Sequence, residues 1–173
     1  MKRIVFLEGL PGVGKTTVIN RIDELKLPNV YIIDEIVNRN ISKDQIDFIL
    51  NDELKISKYN EGLIIIDRGL ISTLSYNQTR KIIDSSFDSN LVIKWFEKVK
   101  DVYNENTKTI YLTNNQTNYY LPYKNDLDPY GSSENQKLLE SITMFNCQKY
   151  AKNLTIKEYY KDNLEEIINE IIN

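Results

Sequence analysis

The sequence predicts an α/β fold in which a five-stranded, mainly parallel sheet lies between layers of helices. Three observations lead there. Apolar runs bounded by turn residues recur between longer amphipathic segments, the pattern of linked βαβ units. Inside those runs the hydrophobicity is continuous rather than alternating, as strands covered on both faces require. The 173 residues also suffice for one core of ordinary size and are too few for two, so a single domain over 1–173 is expected.

Each element follows from its local pattern. Ile4-Val5-Phe6-Leu7 reads as the first strand, Val30-Tyr31-Ile32-Ile33 as the second and Leu63-Ile64-Ile65-Ile66 as the third. Thr109-Ile110-Tyr111-Leu112 is the fourth, and Leu154-Thr155-Ile156-Lys157 a weaker fifth. Helices are expected over Thr16 to Leu25, Ser42 to Asn60, Leu70 to Asp84, Asn90 to Asn104, Ser133 to Lys152 and Asn163 to Ile172. Ser42 and Gln45 have capping-box spacing, and Ile46, Ile49, Leu50 and Leu54 share one face of the helix that follows. Trp95 is assigned to the core or to a dimer surface, and Cys147 to a buried structural thiol. The least regular stretch is Asn114 to Ser132, polar and tyrosine-rich with Pro122, Pro129 and Gly131 as breakers. It is a surface loop or, in an enzyme that must exclude water, a mobile lid.

Composition removes several function classes. Hydrophobic residues at 41% and charged residues at 27% are those of an ordinary globular chain. A net charge of −3 and a pI near 5.2 lack the excess of Lys and Arg that grips a nucleic-acid polymer. With no histidine and one cysteine, zinc sites and histidine-based catalysis are set aside. The opening apolar run meets Glu8 and Gly9 too soon for a secretory signal. No apolar stretch nears the roughly 20 residues needed to cross a bilayer, so no membrane partner and a cytoplasmic setting are expected.

The strongest local signal is Gly9-Leu10-Pro11-Gly12-Val13-Gly14-Lys15-Thr16, which satisfies Gly-x4-Gly-Lys-[Ser/Thr] between a strand and a helix. That is a P-loop, and it makes the expected architecture the three-layer P-loop NTPase fold. Gly9, Gly12 and Gly14, with Val13, let successive N–H groups turn onto a phosphate, and the helix that starts near Lys15, Thr16 and Thr17 adds its positive end. Lys15 supplies a cation for the β- and γ-phosphates of ATP, and Thr16 a hydroxyl for Mg²⁺. Asp67, directly after the third strand, is the expected second metal ligand, or else a simple strand-end or helix-capping residue. Beside it, Arg68 is placed to bind an acceptor phosphate or the migrating phosphoryl group, or else forms a structural ion pair.

Asp67-Arg68-Gly69-Leu70-Ile71-Ser72-Thr73-Leu74-Ser75-Tyr76-Asn77 resembles the Asp-Arg-x-x-x-Ser-x-x-Ala-Tyr-Gln signature of thymidylate kinases. The opening Phe6-Leu7-Glu8-Gly9, followed by Gly12 to Thr17, resembles the start of the same enzymes. The resemblance to the thymidylate kinase and deoxynucleoside kinase group implies ATP- and Mg²⁺-dependent phosphoryl transfer to a nucleoside or nucleoside monophosphate. It also implies Tyr76 and Asn77 near the acceptor, Arg39 as a grip on an acceptor monophosphate, and a homodimer. Pro11 departs from the acidic residue that thymidylate kinases carry there. Glu35, in Asp34-Glu35 after the second strand, is similar to the base of deoxynucleoside kinases, with Asp34 as its competitor. A base is needed when the acceptor is a hydroxyl, so both features favour a nucleoside.

The lid of such enzymes is arginine-rich, whereas this chain offers only Lys124 in the corresponding stretch. Phe48, Tyr59 and Tyr76 are candidates to stack on a base, and Asn77 or Gln78 to read its edge. The rival readings are a P-loop kinase acting on another small hydroxyl compound and a nucleotide-binding regulatory module with little turnover.

Overall fold

The computed structural model describes residues 1–36, 44–114 and 129–173. Five strands form one sheet in the order β2-β3-β1-β4-β5, with every neighbouring pair parallel. They are β1 (Lys2–Glu8), β2 (Val30–Ile33), β3 (Gly62–Asp67), β4 (Thr107–Thr113) and β5 (Leu154–Glu158). The helices are α1 (Lys15–Glu24), α2 (Gln45–Ser57), α3 (Leu70–Ile83), α4 (Asn90–Val99), α5 (Ser133–Tyr150) and α6 (Leu164–Ile172). The predicted helix reaching Asn104 ends at Val99 and tightens into a 3₁₀ turn over Lys100–Val102.

Strand side chains alternate between two cores. Phe6, Ile64, Ile66 and Tyr111 face one way and pack with Leu70, Leu74, Val92, Phe96 and Cys147 from the helices on that side. Val5, Leu7, Ile65, Ile110 and Leu112 face the other and pack with Val18, Ile22, Ile167 and Ile171 of α1 and α6. Burial on both faces explains the unbroken apolar runs of the central strands. Only β5, at the sheet edge, carries an exposed large apolar residue, Ile156. Trp95 belongs to the core and donates to Glu53 from its indole N–H at 3.0 Å. Cys147 is buried, which pushes its thiol pKa well up.

Helix α2 corrects two expectations. Its N-cap is Asp44, whose carboxylate accepts from the Asp47 N–H at 3.0 Å while Asp47 reaches back to the Asp44 N–H. Ser42, the expected cap, lies outside the described residues. More telling is the face turned inward: Ile46, Leu50 and Leu54 are exposed, whereas Asn51, Asp52 and Lys55 are buried. Of the expected apolar stripe, only Ile49 packs against the core. Polar contacts to the end of β3 outweigh the hydrophobic pattern here, because a buried carbonyl without a donor would cost more than an exposed leucine.

Candidate active site

Strand β1 lies between β3 and β4, so the chain leaves its carboxyl end at the point where the strand order reverses. In open α/β sheets that crevice is where ligands bind. Leu7 pairs with Asp67 in the β1–β3 register, which sets the start of the P-loop beside the end of β3.

The P-loop is tightly packed around its glycines. Gly9 has φ +135°, and a Cβ there would sit 2.4 Å from the Leu112 carbonyl oxygen. Gly14 has φ +108° and would place a Cβ 2.5 Å from the Tyr159 ring. Gly14 is also the N-cap of α1 and has no side chain to cap it, nor does any acidic residue occupy the first turn. The first N–H groups of α1, next to exposed Thr16 and Thr17, are therefore left for an anionic ligand. The N-terminus of α3 contrasts with this. There the Glu8 carboxylate accepts from the Gly69 N–H at 2.9 Å and from the Ser72 hydroxyl, and the Tyr103 hydroxyl accepts from the Ile71 N–H at 2.9 Å. Burial pushes the Glu8 carboxyl up, opposed by those two hydrogen bonds and by the charges of Lys15 and Arg68.

Lys15 folds back over the loop and donates to Gly9 O at 2.8 Å and Leu10 O at 2.9 Å. Its amine is buried, and desolvation together with the nearby Arg68 lowers its pKa to about 7 against the pull of Asp67, Glu35 and Glu8. Asp67 has a buried Oδ1 with no hydrogen-bond partner. Burial raises its pKa, while Lys15 and Arg68 oppose the shift. An orphaned carboxylate oxygen at the strand end beside the start of the P-loop suits a hard cation, so the residues present fit Mg²⁺. Among the described residues no cluster of three acidic, histidine or cysteine ligands exists, so such an ion would depend on Asp67, Thr16 and the oxygens of its nucleotide.

Arg68 pairs with Glu35, and its guanidinium carbon lies 5.5 Å from the centre of the Tyr76 ring. Its backbone is left-handed, φ +54°. Glu35 is half-buried at the cavity wall, whereas its competitor Asp34 is exposed. The cavity, of about 710 Å³, is lined by Pro11 of the P-loop, by Glu35 and Arg68, by Phe48, Asp52 and Lys55 of α2, and by Ser72, Thr73, Tyr76, Asn77 and Arg80 of α3. Pro129 and Tyr130, from the described end of the candidate lid, also line it, with the Tyr130 hydroxyl donating to Tyr76 O at 2.7 Å. Asn77 donates from Nδ2 to Thr73 O at 2.9 Å, which leaves its buried Oδ1 without a partner.

Sequence and structure differ at several positions. Tyr59 stacks on Tyr31 at 4.1 Å and does not line the cavity, and Gln78 accepts from Asn146 of α5 at 2.7 Å. Arg39, Lys124 and the 115–128 part of the lid lie outside the described residues. Glu8, Asp52, Lys55 and Arg80 escaped the sequence reading. Of these, Arg80 had a local signal, since it follows Tyr76 by one helical turn, and Glu8 stood in the opening motif without being given a role.

Gly69 is packed closely enough to give a stability test. A Cβ there would lie 2.4 Å from the Phe6 ring and 2.8 Å from the Tyr103 hydroxyl. Gly69→Ala is expected to cost about 2 kcal/mol by overpacking, read as a lower urea midpoint at unchanged slope.

No protein-family model matches the sequence, and no curated protein matches it. Solved structures do. The chain aligns over 98% of its length with 88% of thymidylate kinase from Candida albicans, at 15% identity and a TM-score of 0.65. It aligns over 99% with all of the M. mycoides deoxyadenosine kinase bound to dATP, at 19% identity and a TM-score of 0.64. The YorR protein of Bacillus subtilis, in complex with phosphorylated GDP, matches over 98% of this chain and 93% of its own, at 20% identity and a TM-score of 0.60. The fold is thus that of P-loop NTPases, a five-stranded parallel sheet between helical layers. Within that class it is the fold shared by thymidylate and deoxynucleoside kinases.

Proposed function

We propose that this protein transfers the γ-phosphoryl group of ATP, with Mg²⁺, to the hydroxyl of a nucleoside, and that a nucleoside monophosphate is its alternative acceptor. One observation carries this reading: Pro11 of the P-loop, Glu35 and Arg68 line one cavity whose walls also hold Phe48 and Tyr76. The donor loop and a roomy, partly aromatic acceptor site therefore share a wall.

In this reading the open first turn of α1 and the Lys15 amine receive the triphosphate, Lys15 exchanging its two loop carbonyls for phosphate oxygens. Asp67 and Thr16 would hold Mg²⁺, which when bound supplies charge neutralisation at the β- and γ-phosphates. Phe48 and Tyr76 flank the base, and the free Oδ1 of Asn77 offers it an acceptor. Glu35 takes the proton of the acceptor hydroxyl as its oxygen bonds to phosphorus. The bond from phosphorus to the β,γ-bridging oxygen breaks, and ADP leaves. Arg68, already paired with Glu35, meets the charge on the migrating group, so one ion pair brings base and cation to the same end of the cavity.

Incubation with ATP-Mg²⁺ and a panel of nucleosides and monophosphates tests the proposal. Transfer to a nucleoside supports it, and transfer to no member defeats it. Tight ATP binding without acceptor-dependent ADP release would instead favour a nucleotide-binding regulatory module. A homodimer belongs to the same proposal: the Ile46, Leu50 and Leu54 stripe on α2 is an exposed apolar face that a second copy would cover. Sedimentation equilibrium is expected to return twice the 20.3 kDa chain mass, and Leu50→Glu to return the single mass.

A further inference from the structure

The Asp67–Arg68 turn is gripped from two sides by buried charges of opposite sign. Glu8, from β1, takes the N–H side through Gly69 and Ser72. Lys55, from α2, takes the carbonyl side, its Nζ donating to Asp67 O at 3.2 Å and Arg68 O at 2.9 Å. Its third neighbour is Asp52 Oδ1 at 3.5 Å, and both side chains are 2% exposed. Asp52 is itself oriented from α3, since its Oδ2 accepts from the Thr73 hydroxyl at 2.7 Å.

An ammonium has three N–H donors. Two carbonyls and one carboxylate occupy them all, so Lys55 keeps none for a ligand even though it stands at the cavity wall. The charge of the pair adds little to stability, because buried ion pairs are commonly matched or bettered by uncharged residues of the same volume; what Lys55 supplies is a donor to each of two buried carbonyls. Burial pushes the Asp52 carboxyl up to about 6, with the nearby Glu8 charge adding to the shift and Lys55 and the Thr73 hydroxyl opposing it. What the pair does control is geometry. Arg68 holds a left-handed backbone that a side chain disfavours, and the side chains that this strained turn carries are the Asp67 carboxylate and the Arg68 guanidinium.

We propose that Lys55, oriented by Asp52, is a positioning residue that fixes the Asp67–Arg68 turn in the geometry phosphoryl transfer needs. The inference rests on the transfer function proposed above and adds residues that do not touch the reacting atoms.

The test is the double variant Lys55→Met with Asp52→Asn, which removes both charges at similar volume and leaves Thr73 an acceptor, its folding checked by circular dichroism and melting temperature. Its kcat is expected to fall about 10²-fold, the scale set by misplacement of catalytic groups by about 1 Å, while the KM for ATP stays within about threefold. Lys55→Arg, which can still donate to both carbonyls, is expected to recover at least about a tenth of the wild-type kcat. Hydrogen exchange gives a readout independent of turnover. The amides of Arg68 and Ser72, bonded to Leu7 O and Gly69 O, are expected to exchange faster in the double variant, with the Ile65 amide of β3 unchanged. A double variant with wild-type kcat and wild-type exchange overturns the inference, and so does one that loses kcat, ATP affinity and melting temperature together. Wild-type protein that transfers to no acceptor defeats the transfer reading, and the exchange result then decides by itself whether Lys55 holds the turn.

Discussion

Lys15→Ala is expected to lower kcat for phosphoryl transfer by at least about 10²–10³-fold, the loss seen when one preorganised electrostatic contact to developing charge is removed. The amine is poised for that role. It is buried against the loop and held by two carbonyl oxygens that phosphate oxygens would replace, and burial together with the nearby Arg68 brings its pKa down to about 7. The fold should survive the substitution, because α1 is anchored by Val18, Ile19 and Ile22 rather than by Lys15. Circular dichroism matching the wild type alongside lost turnover is the expected pair of results. Retained turnover would mean that the helix terminus and Arg68 suffice, and would remove Lys15 from the mechanism.

Glu35→Gln separates the two classes of acceptor. Glutamine keeps a carbonyl oxygen for Arg68 and nearly the same volume, so the ion-pair geometry is preserved while the basicity is lost. With a hydroxyl acceptor, kcat is expected to drop by about 10²–10⁴-fold, the usual contribution of a positioned base. A monophosphate acceptor is already anionic and has no such proton to lose, so its kcat is expected to change by less than about tenfold. Steady-state rates for a nucleoside and its monophosphate, measured on one preparation, give the ratio directly. Equal losses for both would recast Glu35 as a residue that only holds Arg68.

Much of this was legible in the sequence, and the limits have physical causes. The P-loop was readable because its spacing is local and its strand-and-helix context is contiguous in the chain. The central strands were readable because two-sided burial leaves unbroken apolar runs, as in Leu63-Ile64-Ile65-Ile66. Helix α2 misled the periodicity argument. Its inward face carries Asn51, Asp52 and Lys55 because their partners, the Glu35 carbonyl for Asn51, the Asp67 and Arg68 carbonyls for Lys55 and the Thr73 hydroxyl for Asp52, are tertiary neighbours and leave no trace in the spacing of α2 itself. Glu8 was hidden in the same way: its partners Gly69 and Ser72 are more than 60 positions away. Tyr59 could not be told from a base-stacking residue by sequence, since a tyrosine that stacks on Tyr31 and one that stacks on a ligand look alike in a string of letters.

The left-handed backbone at Arg68 has a consequence for how this chain can be changed. A glycine at that position would relax the turn at no steric cost, and a search for hardier variants would therefore be drawn to it. Such a protein would lack the guanidinium that pairs with Glu35 and that the proposed transfer uses. On the transfer proposed above, backbone ease and turnover are opposed at this single residue.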